Sequence, residues 1–437
     1  MIGLCSAIKT TKGDRNMDKL KGKKLLYIGV PVILLAGLLL WGARAYFFAP
    51  SLSSASFEWL AEPQYRLAND FSCGVAWVEV KDKVWRQIDT QGNILIDNYE
   101  AGHISRYDKE TGLASFKDIN YNAGYINLSG DVVISPEYTL VNDFQHGMAP
   151  IAKKIDRRKW EYRYGVIDRR GKMILPAVYE SIRPLTPHVF AVEKTGRKTT
   201  GDPYNGAKWM YVNEKGEPIS DQIFEFKDLD GNPQTPGSTF HTTLPPNLCL
   251  TGVDGKVGLI NDKGEWVLPA SYDMIYPATQ EPIGVLKDGK VGFIDLKGNT
   301  VIDFQFGEWN WSIAPGAYYQ FSEGLAVVVL PGSTPQKGEI PKSGVINEKG
   351  ELLFTLPGMA KGVCVDGFVV VRTKDKVEGL VDRKGNWYPL PPYLMIWTNR
   401  VSDRILRVVE QKSDGKNIKI GKMGYIKVKV KRNQTNN

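Results

Sequence analysis

The stretches GLINDKGEWVLPASYD (258–273) and GVIDRRGKMILPAVYE (165–180) carry glycine, a β-branched aliphatic, Asx, a second glycine, proline and tyrosine at the same spacings. The core of this pattern, Gly, any, Ile/Val, Asp/Asn, any, any, Gly, recurs along the chain. Its second glycines are Gly92, Gly130, Gly171, Gly216, Gly264, Gly298, Gly350 and Gly385, a mean period of about 42 residues. Each follows an Asx residue by three positions, from Asp89 to Asp382, and six copies add an aromatic eight residues later: Tyr138, Tyr179, Phe224, Tyr272, Phe306 and Tyr393. An Asx side chain at the first position of a type I turn accepts backbone N–H bonds, and glycine at the fourth supplies positive φ. The pattern therefore predicts a chain reversal between two strands. β-Branched and aromatic residues flank it, as in VGFID (291–295) and GNTVIDFQF (298–306).

A further strand precedes each hairpin, seen in GVAWVEV (74–80), GLAVVVL (324–330) and FVVVR (368–372). Each unit then offers three to four short antiparallel strands and no helical periodicity, so the fold class is all-β. Units of this size match propeller blades, and radial closure protects sheet edges. A propeller-like ring is favoured over an open β-solenoid, which needs a cap at both ends. Eight units span residues 71–410, and Met423, Gly424, Tyr425 and Ile426 trace a degenerate ninth within 411–437. There Ile426, Val428 and Val430 alternate with Lys427, Lys429 and Lys431, which predicts a solvated edge strand guarded by lysines.

These residues resemble the bacterial WG-repeat family, whose units read roughly Trp-Gly, Phe/Leu-Ile-Asp, two variable residues, Gly, and later Pro and Tyr. The resemblance runs from Phe71 to Tyr393. It departs at the namesake position, where Tyr164, Val257, Val291, Ser343 and Glu378 replace Trp, while Trp85 and Trp209 keep Trp and lose Gly. The resemblance implies a repeat scaffold and no shared enzymatic activity.

Charge and hydropathy set the ends apart from the body. The 437 residues carry a net charge of +8, but residues 1–24 contribute +5 and residues 411–437 contribute +7, leaving 25–410 at −4. A faintly acidic body argues against a nucleic-acid partner. Residues 25–43, LLYIGVPVILLAGLLLWGA, hold no charge and reach about the ~30 Å of a bilayer core, which predicts one amino-terminal transmembrane helix that acts as a signal-anchor. Lys19, Lys21, Lys23 and Lys24 precede it and Trp41, Tyr46, Phe47 and Phe48 follow. The positive-inside rule then makes 1–24 a cytoplasmic basic segment in a bacterial plasma membrane, with 44–70 a membrane-proximal linker and the repeat domain periplasmic or extracellular. The competing reading is a cleaved signal peptide ending at Ala43 and Ala45, and Met17 is an alternative start.

The chemistry-bearing residues are sparse. His103, His146, His188 and His241 lack ligand spacing, no C-x-x-C pair or G-x-S-x-G elbow occurs, and GVLKDGK (284–290) lacks the Ser/Thr of a phosphate-binding loop. No catalytic, cofactor or metal site is read. Lys or Arg precedes the second glycine in six units, at Arg170, Lys215, Lys263, Lys297, Lys349 and Lys384, which places them on one rim if the units are in register. The insertion Gly307–Gln320 holds Trp309, Trp311, Tyr318 and Tyr319, a possible binding surface for a sugar ring or a protein. Cys73 precedes the first strand of the first unit and Cys364 that of the eighth. In a closed ring of eight these are neighbours, which predicts a Cys73–Cys364 disulfide. The expected function is a membrane-anchored, non-enzymatic scaffold for protein–protein interaction in the cell envelope. The alternative is a peptidoglycan or cell-wall polysaccharide binding module.

Overall fold

A computed structural model describes residues 56–156, 161–193, 209–219, 226–227, 233–234, 244–245, 247–253, 255–308, 317–333, 339–398, 401–413 and 418–430. The predicted span 25–43 and its flanks lie outside them, and among the described residues no helix is long and apolar enough to cross a membrane. The described residues form a nine-bladed β-propeller ring, plus a two-stranded ribbon, Phe226–Lys227 with Pro233–Gln234. Blade 1 comprises Leu67–Ala68, Val75–Lys81, Val84–Asp89 and Ile94–Glu100, from the axis outward. Blade 2 is built the same way from His103–Ile104, Ala114–Lys117, Ala123–Ile126 and Val132–Tyr138, and blade 3 from Leu140–Val141, Met148–Asp156, Glu161–Asp168 and Met173–Tyr179. Blades 4 to 8 follow in chain order, starting at Ile182, Leu248, Met274, Leu325 and Gly358.

Blade 9 corrects two of the expected boundaries. Its first three strands are Leu394–Ile396, Ile405–Ser413 and Ile418–Val428, and its outermost strand is Phe57–Tyr65, from the stretch expected to be linker. Phe57 pairs with Val428 and Trp59 with Ile426, so the two ends of the chain complete one sheet and close the ring. The lysine-faced segment is therefore no edge strand, because Ile418–Val428 has a partner on each side. AEPQY (61–65) supplies the proline and tyrosine half of a ninth repeat whose glycine half is MGYI (423–426). Ser402 Oγ donates to Phe71 O at 3.1 Å and Tyr425 OH to Asn69 O at 2.6 Å, tying blade 9 to blade 1.

The repeat residues have local reasons. In each of the eight Asx turns, Oδ1 accepts N–H bonds from the second and fourth residues onward, as Asp168 does from Arg170 (2.8 Å) and Lys172 (2.9 Å). The second glycines have φ between 78° and 89°, as expected. They also sit against the neighbouring blade: a Cβ on Gly350 would lie 2.7 Å from Ile302 Cγ2 of blade 6, and one on Gly130 would lie 3.1 Å from Ile96 Cδ1 of blade 1. The first glycine answers a different need. The outermost strand bulges at its proline, and a Cβ on Gly258 would stand 2.4 Å from Leu268 O.

The apolar core is correspondingly divided. Buried side chains form clusters between successive blades, such as Trp77, Trp85, Ile104, Phe116 and Ile126 between blades 1 and 2, and Phe57, Val370, Leu380, Leu406 and Ile426 between blades 8 and 9. No blade buries its faces alone, so stability accumulates blade by blade around the closed ring. The namesake Trp position lies in these interfaces. Trp85 Nε1 donates to Ala101 O in the link to the next blade at 3.1 Å. Where Glu378 replaces it, the carboxylate accepts Ile396 N of blade 9 at 2.6 Å and Lys361 Nζ at 3.1 Å.

Candidate functional site

Among the described residues seven blades begin with a strand of two or three residues. In that of blade 2, Ile104 is fully buried while His103 is exposed; just past that of blade 3, Asn142 and Asp143 are exposed and Phe144 is buried. A cavity of about 470 Å³ opens there, walled by His103, Ser105 and Lys117 of blade 2, Asn142, Asp143 and Gln145 of blade 3, and Arg183 of blade 4. A second cavity of about 240 Å³ shares Asp143 and adds Asp70 and Ser72 of blade 1, Arg106 and Asp108 of blade 2, and Ser402 of blade 9. Asp70, Arg106 and Asp143 thus follow one another around the mouth with alternating sign. Arg407 of blade 9 pairs with Asp70 at 3.0 Å.

Enclosure tunes these groups. Burial holds the His103 imidazole below its usual pKa, and the Lys117 cation adds to the effect. Asp143 is open to solvent at the mouth but walled on its other sides. That burial pushes its carboxyl up, Arg106 pulls it back and Asp108 raises it further. The buried thiols of Cys249 and Cys364 are pushed up to about 12, so they are protonated and poorly nucleophilic at neutral pH. Among the described residues no cluster of His, Cys, Asp and Glu has the geometry to hold a metal ion.

The mouth is framed by a second recurring motif, visible in FSCG (71–74), FQHG (144–147), FSEG (321–324) and CVDG (364–367). Its last two residues both have positive φ, 54° at Cys73 and 79° at Gly74, which makes a tight turn between the innermost and second strands. Successive turns hold one another. Ser72 Oγ donates to Tyr107 O at 2.7 Å and Ser322 Oγ to Cys364 O at 2.6 Å; the Glu323 carboxylate accepts Asp366 N and Gly367 N, both at 2.9 Å. Cross-blade bonds of this kind stiffen the rim on which a ligand would rest.

The residues singled out from sequence fare differently. Tyr318 is 2% exposed and Tyr319 fully buried, so neither is a surface. Tyr318 OH lies 3.1 Å from Ser343 Oγ and accepts Ala360 N, and the Tyr319 ring packs 4.5 Å from that of Tyr276. They fill the blade 6 to blade 8 core because they occupy the innermost-strand position of blade 7. Trp309 and Trp311 lie outside the described residues. Cys73 and Cys364 are both free thiols, correcting the expected disulfide. A whole ninth blade stands between their blades, and strand pairing closes the ring instead. His103, Asp143 and Arg183 were missed, because strands of two or three residues and the links beside them carry no periodicity; Asp143 alone of the three is followed at once by an x-Gly turn motif, FQHG.

The WG containing repeat matches residues 54–85, 124–154, 164–186, 258–290 and 292–330. The chain belongs to the WG-repeat family. The first match, 54–85, takes in the whole outermost strand of blade 9, Phe57–Tyr65, together with the first strands of blade 1, so it spans the ring closure. Solved structures similar to this WG-repeat ring include the computationally designed Ika8 protein, 14% identical over 76% of this chain and 99% of that one, with a TM-score of 0.39. BamB from Moraxella catarrhalis is 10% identical over 83% and 92% of the two chains, TM-score 0.35, and a eukaryotic initiation factor 11% identical over 83% and 87%, TM-score 0.35. No curated protein sequence matches the chain.

Proposed function

We propose that this WG-repeat protein is a non-enzymatic scaffold, held in a cell-envelope membrane by residues 25–43, that receives a protein partner at the mouth of the cavities that share Asp143. The observation that carries this reading is the pair of cavities sharing Asp143, which gather charged and hydrogen-bonding side chains from blades 9, 1, 2, 3 and 4 on a rim of interlocked turns. Such a site offers recognition groups of both signs in fixed positions, which favours specificity and orientation. The uncharged run 25–43 with its basic flank supports the anchor, with the ring outside the cytoplasm. A photo-cross-linking residue at Asn142 in native membranes is expected to yield one discrete adduct that is lost in Arg106→Glu. The same residue at Glu217, outside the mouth, yields none. Indistinguishable adducts from both positions would refute the site, and a chain lacking 25–43 that still resists carbonate extraction would refute the anchor.

A further inference from the structure

In blades 1, 2, 3, 5, 6 and 7 the outermost strand bulges just after the Asx turn. In blade 1, Ile88 and Gln87 pair with Ile94 and Ile96 and leave Leu95 between them, and the other five repeat this register. Such a bulge turns two successive side chains outward. Eleven of these twelve positions are apolar, with Thr300 the exception, although they lie on the outer circumference of the ring. Both members of the pair are apolar and exposed in blades 1, 2 and 7, of which blades 1 and 2 are neighbours. Tyr99 OH donates to Gly130 O and Gln87 Nε2 to Leu128 O, both at 3.1 Å, so the outer strands of blade 1 lie against the Asx turn of blade 2. Along this seam Ile94, Leu95, Leu128, Val132 and Val133 are between 41% and 52% accessible.

The same seam stands apart in charge. Lys or Arg precedes the turn glycine in blades 3 to 8, but Gln91 and Ser129 hold that position in blades 1 and 2. Residues 89–101 and 127–139, each running from the Asx turn past the end of the outermost strand, carry five carboxylates and no Lys or Arg. Arg86, on the adjoining strand of blade 1, is committed to Asp97 at 2.9 Å. Glu100 and Glu137 are exposed and form no ion pair among the described residues.

We propose that the seam between blades 1 and 2 seats a basic segment of a partner protein that also carries apolar side chains. The seam lies on the outer circumference, away from the cavities beside the innermost strands, so it goes beyond the scaffold reading and does not depend on it. Five exposed apolar side chains at one place call for a partner that removes them from water, and the carboxylates beside them select a cationic one. Those carboxylates repel a nucleic-acid backbone and an anionic lipid surface, and a second copy meeting seam to seam sets like charges together. The bulges, Pro136 in blade 2 and Asn98 with φ of 54° in blade 1 keep a further strand from adding along the edge, so side chains make the contact.

The test uses the full chain in zwitterionic nanodiscs and a fluorescein-labelled peptide of about 12 residues built from alternating Lys and Val pairs. Binding is read by anisotropy at about 50 and 500 mM salt, with empty nanodiscs subtracted. It is expected at low salt and weakens at high salt. Glu100→Gln with Glu137→Gln is expected to weaken it about fivefold, and Leu95→Ser with Val133→Ser by a similar factor. Val301→Ser with Leu353→Ser, at the matching positions of blades 6 and 7, leaves it unchanged. An unaltered thermal midpoint shows that the ring is intact in each variant. The proposal is overturned by absence of binding at low salt, by an equal loss in the blade 6 and 7 variant, or by equal binding of a peptide with Ser in place of Val or Glu in place of Lys. Sedimentation showing paired nanodiscs that separate in Leu95→Ser with Val133→Ser makes a second copy the occupant and also overturns it. Arg106→Glu, which removes the adduct at the mouth, leaves peptide binding unchanged, so the seam and the scaffold reading fail separately.

Discussion

Gly350→Ala separates the two demands made on the repeat glycines. Gly350 has φ of 82°, and forcing an L residue into that region costs about 1–2 kcal/mol. The added methyl also lands 2.7 Å from Ile302 Cγ2 of the preceding blade, where Ile302 is 4% exposed and has little room to move. Overpacking of this kind costs a further ~1–3 kcal/mol, giving a total near 2–5 kcal/mol. Gly289→Ala is the control, since Gly289 has φ of 71° but nothing within 4 Å of where its Cβ would stand, so only the backbone cost applies. Equilibrium denaturation followed by tryptophan fluorescence should show Gly350→Ala less stable than Gly289→Ala by ~1–3 kcal/mol. In the background of Ile302→Ala, which removes the offending methyl, the cost of Gly350→Ala should fall back to ~1–2 kcal/mol, a coupling that a double-mutant cycle measures directly. Equal losses at Gly350 and Gly289 would refute the claim that the turn glycines are also blade-to-blade contacts.

Three further outcomes are expected. Removing residues 1–65 deletes the outermost strand of blade 9 and the burial of Phe57 and Tyr65, worth about 3–6 kcal/mol, so thermal melting should drop well below that of the full chain; an unchanged midpoint would mean that the ring does not depend on this strand. Glu378→Ala leaves Lys361 without its carboxylate in a buried interface and should cost ~3–5 kcal/mol, with Lys361→Met added to Glu378→Met recovering most of it; a loss within about 1 kcal/mol would show the pair to be dispensable. Asp143 has its carboxyl raised in the folded ring, so the folded state holds more protons than the unfolded state between the ordinary carboxyl value and the raised one. Stability from this group is therefore fully present below the ordinary value and lost as pH rises through the folded value, and Asp143→Asn should remove that pH-dependent decline from chemical denaturation curves. A variant whose acid profile overlays that of the wild type would show that Asp143 is not enclosed.

How much was legible depended on the range of the interactions involved. Asp168, Gly171 and their seven counterparts could be read because an Asx turn is made by residues within five positions of one another, so its needs are written locally. Gly258 and Gly350 were visible as recurring spacings, but the reasons for them, a bulged neighbouring strand and a methyl from the preceding blade, belong to contacts that sequence spacing does not express. Tyr318 and Tyr319 looked like a surface because aromatic residues in an irregular insertion have no period to reveal which side they face. His103, Asp143 and Arg183 left almost no mark, since strands of two or three residues and the links beside them are too short to show a period.

By itself the amino-acid sequence determined the all-β class, the unit, its turns and the uneven distribution of charge, because all of these follow from local propensity and counting. Only the tertiary structure decided that there are nine blades, that Phe57–Tyr65 completes the last of them, that Cys73 and Cys364 stay apart, and that the cavities sharing Asp143 draw on several blades. Ring closure is a single long-range pairing between the two ends of the chain, and the number of blades between any two residues follows from that pairing rather than from anything in their own neighbourhoods.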